Sequence, residues 1–363
     1  MKILHVINNL ATGGAEKLIL ETIPLLKQRE IEVDLLVLNG IDYPYMKQLK
    51  ELNCCAIYSL GNGSLSNPLL IFKIIPYLKK YDLIHVHLFP TQYWVVFAKL
   101  LSFSKTKLVF TEHSTSNRRI QNKWFKYIDR FVYSFYSKII CITDEVEEVL
   151  KRHTSLDKYR FKVIENGVNL KAIEGAFALD KKNLQYSIQE SDKLVIQVAG
   201  FRIEKDQKTV IRAMQYLDKN VKLLLVGDGA LLSESEKLVN ELGLQERIFF
   251  LGVRNDVPSL LKTADILVVS SHWEGFGLAA VEGMAVSKPI IATNVAGLSN
   301  VVKGAGILFE RGNEKELANI VKELFSDVEY YSKVGNAGFE RAKKYDINFM
   351  VEKLIYLYKE VLK

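Results

Sequence analysis

The sequence predicts an α/β protein with two doubly wound domains in tandem. Short apolar runs alternate with segments of helical periodicity, a pattern typical of parallel sheets covered by helices on both faces. The alternation is lost over the polar segment 171–191 and restarts at Lys193. A chain of 363 residues also exceeds what one hydrophobic core usually serves. We therefore expect domains over 1–172 and 190–345, with a closing helix over 346–363 that packs back on the first domain.

Apolar runs and capping residues predict the elements of the first domain. Each strand is a short run rich in β-branched residues, and each helix has apolar residues three and four positions apart. Thr143 or Asp144 supplies the N-cap of the last helix. The predicted strands are 2–8, 32–39, 82–88, 107–111 and 138–143, and the predicted helices are 15–29, 69–80, 122–137 and 144–152.

The second domain repeats the alternation. Ligands of doubly wound sheets bind beyond the carboxyl ends of the strands, so two facing domains are expected to form a cleft for two substrates. The closing helix has apolar residues at helical spacing, Phe349, Leu354, Leu357 and Val361. The predicted strands are 193–199, 221–226, 248–251, 264–269, 289–293 and 306–309, with helices between them.

Composition excludes several classes of protein. No apolar run reaches the roughly 18 residues that span a bilayer, and the N-terminal apolar run is too short for a signal peptide. The three cysteines, Cys54, Cys55 and Cys141, are too few and too irregularly spaced for a disulfide framework or a zinc site. We expect a cytoplasmic protein.

The formal charge of +7 belongs to the first half of the chain. Residues 1–170 contain 23 Lys and Arg against 16 Asp and Glu, whereas 171–363 contain 26 of each. Bases and large apolar residues mix over 94–138, which suits either an anionic membrane surface or a core-packing helix with a solvated basic face. Nucleic-acid binding is not expected, because the basic segment contains no sequence motif typical of nucleic-acid-binding domains. The bases that precede Lys138 in this segment are Lys99, Lys105, Lys107, Arg118, Arg119, Lys123, Lys126 and Arg130.

One strand, loop and helix, 265–285, carries the strongest functional signal. Gly275 and Gly277 permit a tight turn after the strand, and the helix that follows offers free N–H groups and its positive dipole end to an anion. Glu274 and Glu282 add carboxylates, which suit hydroxyl groups. Together these features suit a nucleotide sugar. The alternative is a structural turn, with Glu282 as a solvated helix residue.

Polar residues also mark the strand ends of the first domain. Gly13 and Gly14 open a helix whose amides could bind a phosphate or carboxylate, although no third glycine completes a dinucleotide fingerprint. His85 and His87 lie on one strand face, and two histidines without a further ligand are more often packed or hydrogen-bonded than metal-binding. His113 can donate to a sugar hydroxyl or steady a leaving group, or it can be structural.

Two cations follow the first strand of the second domain. Arg202 and Lys205 are placed to meet a diphosphate, the arginine as a bidentate fork and the lysine as a point charge. Taken alone, they would be read as solvated surface charges. Gly227 and Gly229 form a tight turn after the next strand, against which a flat base could pack.

Taken together, these residues resemble glycosyltransferase family 4, retaining enzymes of the GT-B fold, in which two Rossmann-like domains face a central cleft. The resemblance spans most of the chain, and its most specific part is the pair Glu274 and Glu282 with seven residues between them. The remaining motif residues are Gly13-Gly14-Ala15-Glu16, His113, Glu165-Asn166-Gly167-Val168, Lys205-Asp206 and Val226-Gly227-Asp228-Gly229.

The resemblance implies a role for each motif. Glu274 would hold donor-sugar hydroxyls and Glu282 the ribose, while His113 would point at the donor sugar. Lys205 would neutralise the diphosphate leaving group. The amides of Phe276, Gly277 and Leu278 would cover sugar and diphosphate; Gly14, Gly227 and Val253 would complete the donor site; and Gly13, Gly14 and His87 would lie on the acceptor side.

Two positions depart from the family pattern. Gly200 stands where many members have arginine, five residues before the lysine, and Arg202 is the candidate substitute because it lies on the same side of the strand. The family's second glycine pair and its glutamate correspond to Ala296-Gly297 and Asn300.

The predicted function is retaining transfer of a sugar from a nucleoside-diphosphate donor, with UDP expected, to a glycan or lipid-linked acceptor in surface polysaccharide or glycolipid synthesis. A peripheral membrane contact through the basic first domain is expected. No two aspartates stand two residues apart to form a metal-binding Asp-x-Asp, so no metal or other cofactor is expected, and cations and helix amides would stabilise the leaving group. The alternatives are a sugar-nucleotide epimerase of the same fold and a non-catalytic nucleotide-sugar-binding partner. An oxidoreductase is disfavoured by the incomplete dinucleotide fingerprints.

Overall fold

A computed structural model describes residues 1–114, 123–184 and 187–363 of the chain. It divides into two compact units: unit 1 comprises Met1–Gly167 with Ile347–Lys363, and unit 2 comprises Val168–Asp346. The described part of the polar segment 171–191, which was expected to join the domains, therefore belongs to unit 2.

Unit 1 is built on a parallel sheet with strand order β3-β2-β1-β4-β5-β6-β7. Its strands are β1 (Lys2–Ile7), β2 (Glu32–Val37), β3 (Ile57–Ser59), β4 (Leu83–His87), β5 (Lys107–Glu112), β6 (Lys138–Cys141) and β7 (Phe161–Val163). Helices between them are α1 (Gly14–Gln28), α2 (Pro44–Leu52), α3 (Leu70–Leu78), α4 (Thr91–Leu101), α5 (Lys123–Tyr133) and α6 (Asp144–Thr154). The chain reverses its direction of travel across the sheet between β1 and β4, which is where ligands of such sheets bind.

Unit 2 repeats the architecture with strand order β10-β9-β8-β11-β12-β13 and a reversal between β8 and β11. Its strands are β8 (Lys193–Val198), β9 (Val221–Val226), β10 (Ile248–Gly252), β11 (Ile266–Val269), β12 (Ile290–Thr293) and β13 (Ile307–Phe309). Its helices are α7 (Leu170–Glu174), α8 (Gln207–Ala213), α9 (Leu232–Glu241), α10 (Val257–Thr263), α11 (Leu278–Ala285), α12 (Leu298–Val302), α13 (Glu314–Ser326) and α14 (Val328–Ala342).

The closing helix, α15 (Ile347–Leu362), is part of unit 1. Of its four predicted apolar residues, Leu354, Leu357 and Val361 are buried, whereas Phe349 is 53% exposed. Arg29 Nη2, just after α1, donates to Asn348 Oδ1 over 2.8 Å. Tyr358 is fully buried and reaches the strands of the sheet. This helix therefore adds a buried phenol to the core of unit 1.

The predicted α/β class with two doubly wound domains is confirmed. Every predicted strand is present with ends within two residues of the prediction, because buried parallel strands read as apolar runs. Strands β3 and β7 and helices α2, α4 and α7 were not predicted. Among the described residues, no helix combines the length and the apolar character that crossing a bilayer requires. Arg118, Arg119, Asn122 and Gln185, which entered the sequence predictions, lie outside the described residues.

Candidate active site

Lys205 and Glu274 form an ion pair at the carboxyl end of the sheet in unit 2. Lys205 ends a short 3-10 turn after β8, and Glu274 lies in the loop between β11 and α11. Lys205 Nζ donates to Glu274 Oε2 over 2.5 Å, and Ser271 Oγ donates to the same oxygen over 3.2 Å. The exposed fractions of the two charged side chains are 26% and 17%. The fold therefore brings the predicted cation and the predicted carboxylate together.

Two buried polar residues hold the turn that carries Lys205. Ser270 Oγ lies 3.0 Å from the Lys205 carbonyl and 2.8 Å from that of Asp206. Gln197 Nε2 donates to the Lys205 carbonyl and to Ser270 Oγ, each over 2.9 Å. Sequence reasoning missed Gln197 and Ser270 as site residues. A glutamine inside the apolar strand β8 was the available signal, because a buried amide needs hydrogen-bond partners.

The N-terminus of α11 lies directly after the Glu274 loop. Gly277 is its N-cap at φ +93°, a conformation that favours glycine, and Leu278 is its first residue. The first N–H groups of a helix have no partner within the helix, so this end can bind an anion. Glu282, in the same helix, is only 5% exposed, so the alternative of a solvated residue is wrong. The Phe276 side chain is buried as well, which leaves its backbone as the group available to a ligand.

Gly297, the N-cap of α12, supports the loop from the other side. Its φ is +77°, and a Cβ there would lie 2.3 Å from the Glu274 carbonyl oxygen and 2.8 Å from that of Gly275. Only glycine allows the two backbones to approach this closely. A larger residue at position 297 would therefore clash with the backbone of the Glu274 loop, which explains the glycine found here.

The ends of β8, β9 and β10 are neighbours at the carboxyl edge of the sheet in unit 2. Gly227 has φ +137°, and a Cβ there would lie 2.2 Å from the Ala199 carbonyl oxygen. Gly227 N donates to the Gly252 carbonyl over 2.8 Å, and Val253, the next residue, is 41% exposed. The two predicted donor-site residues Gly227 and Val253 thus lie at adjacent strand ends.

Arg202 is exposed and pairs with Glu204, whereas Glu274 pairs with Lys205. Its Nη1 is 3.8 Å from Glu204 Oε1, with 57% of the arginine side chain exposed. Its Nε lies 3.3 Å from the point where a Cβ of Gly200 would stand. The guanidinium therefore occupies space beside Gly200 that a longer residue at position 200 would use.

In unit 1, Gly13 is the N-cap of α1 and Gly14 its first residue, after the loop 8–12 that follows β1. The Gly13 carbonyl accepts from Lys17 N over 2.9 Å, so the helix starts at this point. A Cβ at Gly13 would lie 2.2 Å from the Glu16 carboxylate. The glycine pair thus occupies a helix N-terminus, as predicted.

His113 and His87 belong to a chain of hydrogen bonds that we term the histidine line, comprising His113, His87, His5, Tyr358 and His85. His87 Nδ1 lies 3.2 Å from His113 Nε2, and His87 Nε2 lies 3.1 Å from His5 Nδ1. His5 and His85 are paired in register across β1 and β4. His85 and His87 each hydrogen-bond to neighbouring side chains, and the fold places His5 beside them as a third histidine that sequence reasoning did not connect with the pair.

Burial keeps the rings of the histidine line neutral. It lowers the pKa of His5 to about 3 and that of His113 to about 4. Burial, and then repulsion from neighbouring histidines, lowers the pKa values of His85 and His87 well below the usual range. At neutral pH each ring therefore carries one N–H donor and one acceptor nitrogen.

Comparison with known proteins places the chain among glycosyltransferases. Residues 12–172 match the family described as Glycosyltransferase Family 4, and residues 180–341 match Glycosyl transferases group 1. An uncharacterized glycosyltransferase of Methanocaldococcus jannaschii is 32% identical over 308 residues, which are 83% of this chain and 82% of that protein.

Two further comparisons cover almost the whole chain. N-acetylgalactosamine-N,N'-diacetylbacillosaminyl-diphospho-undecaprenol 4-alpha-N-acetylgalactosaminyltransferase of Campylobacter jejuni is 27% identical over 360 residues, 94% of each protein. The crystal structure of Anabaena HepE in complex with UDP and glucose matches with a TM-score of 0.86 at 21% identity, over 99% of each chain. The structural match shows that the two proteins share a fold.

Proposed function

The chain belongs to glycosyltransferase family 4 and is a glycosyltransferase, and from this premise we propose that it transfers a sugar, with retention of configuration, from a UDP-linked donor to a lipid-linked or glycan acceptor. The name of the Campylobacter relative specifies a diphospho-undecaprenol acceptor, and the similar HepE structure contains UDP. The observation that carries the proposal is the Lys205–Glu274 pair beside the N-terminus of α11.

The donor site is assigned to unit 2. Lys205 and the first N–H groups of α11 are donors suited to the diphosphate. Glu274 and the buried Glu282 are acceptors suited to sugar and ribose hydroxyls. Lys205 and Glu274 pair with each other, and we propose that donor binding directs Lys205 to the diphosphate and Glu274 to the sugar hydroxyls. Preorganised donors at the site where negative charge grows are the largest catalytic contribution expected here.

The proposed step needs no covalent intermediate. The bond between C1 of the sugar and the diphosphate oxygen breaks, and UDP leaves with the electron pair. The acceptor hydroxyl oxygen bonds to C1 on the same face, and its proton passes to the departing diphosphate. Lys205 and the helix amides stabilise the charge of UDP, and the family resemblance assigns His113 to the donor sugar.

Arg202 is proposed as the second cation for the diphosphate. Support comes from its guanidinium, which lies beside Gly200, the position where many family members have arginine. Arg202→Ala should therefore raise the KM for the donor, and Gly200→Arg combined with Arg202→Ala should restore it. Equal donor KM values in the wild type and Arg202→Ala would contradict this assignment.

Helix α5 supports a peripheral membrane contact, which we include in the proposal. Asp129 and Val132 of this helix are fully buried. One face of α5 therefore packs in the core, as the alternative of a core-packing helix predicted. Tyr127 and Phe131 are nevertheless 74% and 50% exposed, beside basic residues of the same helix. An exposed apolar and basic helix face suits an anionic lipid surface.

The membrane contact is tested by sedimentation with vesicles that contain phosphatidylglycerol. Tyr127→Ser with Phe131→Ser should reduce the bound fraction. Phe177→Ser is the matched control, since Phe177 is 85% exposed but lies in unit 2. Equal loss of binding in both variants would refute a specific role for α5.

The transfer itself is tested with a panel of UDP-sugars and undecaprenyl-diphosphate-linked acceptors. We expect product only with donor and acceptor together, and proton NMR should show the donor's anomeric configuration in the product. Inversion would refute retention. Isomerised donor in the absence of acceptor would identify an epimerase, and binding without turnover of any pair would favour the non-catalytic partner.

A further inference from the structure

The inner half of the histidine line ends in a hydroxyl group on β5. Thr111 Oγ1 lies 2.7 Å from His85 Nε2, and His85 Nδ1 lies 2.6 Å from the Tyr358 hydroxyl. Thr111, His85 and Tyr358 are all buried. Burial also raises the pKa of Tyr358 far above its usual value, so the phenol keeps its proton. The Thr111 hydroxyl, the neutral His85 ring and the Tyr358 phenol therefore each carry one polar hydrogen that needs an acceptor within the core.

The outer half leads from Tyr358 to His113. The Tyr358 hydroxyl lies 3.5 Å from His5 Nε2, the longest link, and His5 connects through His87 to His113 Nε2. The other nitrogen, His113 Nδ1, is buried and has no hydrogen-bond partner among the residues that the structure describes. His113 is thus the end of the line at which a hydrogen or a lone pair remains for a ligand.

A line of neutral rings has two arrangements in which every link is a hydrogen bond. Because each ring has one donor and one acceptor nitrogen, the direction of one link fixes the direction of the next. In one arrangement, hydrogens point away from Thr111 and His113 carries its hydrogen on Nδ1. In the other, they point toward Thr111 and His113 Nδ1 is a bare acceptor.

The Thr111 hydroxyl decides between these arrangements. Within the described part of the chain, His85 Nε2 is its hydrogen-bond partner. If His85 Nε2 carried the hydrogen, the buried hydroxyl hydrogen of Thr111 would have no acceptor, which is costly. When Thr111 donates to His85, each link down to His113 Nε2 is satisfied. The favoured arrangement therefore leaves the hydrogen on His113 Nδ1.

We propose that Thr111, acting through the histidine line, fixes His113 as the tautomer that donates a hydrogen bond from Nδ1 to the bound substrate. Thr111, His85, His5 and His87 are then positioning residues, and Tyr358 on α15 is the link between the two halves. The identity of the substrate rests on the proposed function, but the tautomer does not.

A metal ion is the competing occupant of this cluster. The ligand atoms of His5, His85 and His87 lie within 4.8 Å of one another. Each of their ring nitrogens already has a hydrogen-bond partner within 3.5 Å, and the three offer no carboxylate to balance a buried dication. The hydrogen-bonded line satisfies these groups without a ligand, so we favour it.

The test is nitrogen-15 NMR of histidine-labelled full-length protein, since ring nitrogen shifts report directly which nitrogen carries hydrogen. The chain has six histidines, and His153 and His272 lie outside the line as internal controls. Thr111→Val removes the hydroxyl at nearly constant size, and Thr111→Ser restores it. We expect a shift of about tenfold in the His113 tautomer ratio in the valine variant, the factor of roughly one net hydrogen bond, and wild-type signals in the serine variant.

Activity gives an independent readout. Thr111→Val should lower kcat by several-fold with little change in donor KM, and Thr111→Ser should recover kcat. Unchanged His113 signals in Thr111→Val, or a stoichiometric metal whose removal by EDTA shifts the His5 and His87 signals, would overturn the proposal. An inactive wild type with the expected tautomer shift would instead refute the proposed function and leave the tautomer assignment standing.

Discussion

Acid should destabilise unit 1 selectively, because unit 1 contains four neutral histidines, of which His5, His85 and His87 are buried. Folding lowers the pKa of His5 to about 3 and that of His113 to about 4. It also lowers the pKa values of His85 and His87 well below the value of a histidine in the unfolded chain. Below the unfolded pKa the unfolded chain binds protons that the folded chain does not. Stability is therefore present at neutral pH and is lost as pH falls toward the folded values. From pH 7.0 to pH 5.5 the loss is about 1.2 kcal/mol per histidine and about 5 kcal/mol for all four, taking an unfolded pKa of about 6.5.

Hydrogen exchange followed by mass spectrometry measures this loss strand by strand. After correction for the intrinsic exchange rate, β1 and β4 of unit 1 should lose protection on acidification, while β8 and β9 of unit 2 serve as the internal control. His5→Leu removes one titrating ring, so the slope of stability against pH should fall by about a quarter whatever the variant's absolute stability. Equal pH dependence of the two sets of strands would refute the reasoning.

Two further predictions concern the loops of unit 2. Gly297→Ala places a Cβ 2.3 Å from the Glu274 carbonyl oxygen and should both destabilise the protein by several kcal/mol and weaken nucleotide binding, as urea unfolding and calorimetry would show. Gly304→Ala, at the same φ of +77° but with no atom within 4 Å, is the matched control and should cost about 1 kcal/mol; equal costs would contradict the steric argument. Ser270→Ala should lower stability by about 1–3 kcal/mol and raise the donor KM, since it releases the turn that carries Lys205; an unchanged KM would show that the turn holds without it.

The fold was predictable from the sequence because buried parallel strands are continuous apolar runs. Strands β3 and β7 were missed since they are three residues long and partly exposed, as Ile57 and Tyr58 show. Helix α4 was missed because its aromatic residues were interpreted only as part of a basic segment. A strand of three residues gives too few alternations for a periodic signal.

The site was predictable where a motif lies within one stretch, as for Glu274 and Glu282. The histidine line was not, because its members come from β1, β4, the residue after β5, and α15. Only the strand order, which places β1 beside β4, brings His5 against His85. Sequence alone shows each histidine but not its neighbours.

The central claim, that unit 2 holds the diphosphate of a nucleotide donor, is tested most directly by calorimetric titration with UDP, alongside GDP, ADP and TDP, with and without EDTA. UDP should bind tightly and regardless of EDTA, and Lys205→Met should weaken it about 10- to 100-fold, the range for a charge-assisted hydrogen bond. Lys208→Met, which removes an exposed lysine paired with Glu234 on the neighbouring helix, should leave binding unchanged. Failure of all four nucleotides to bind, or equal affinity in the wild type and Lys205→Met, would contradict the claim.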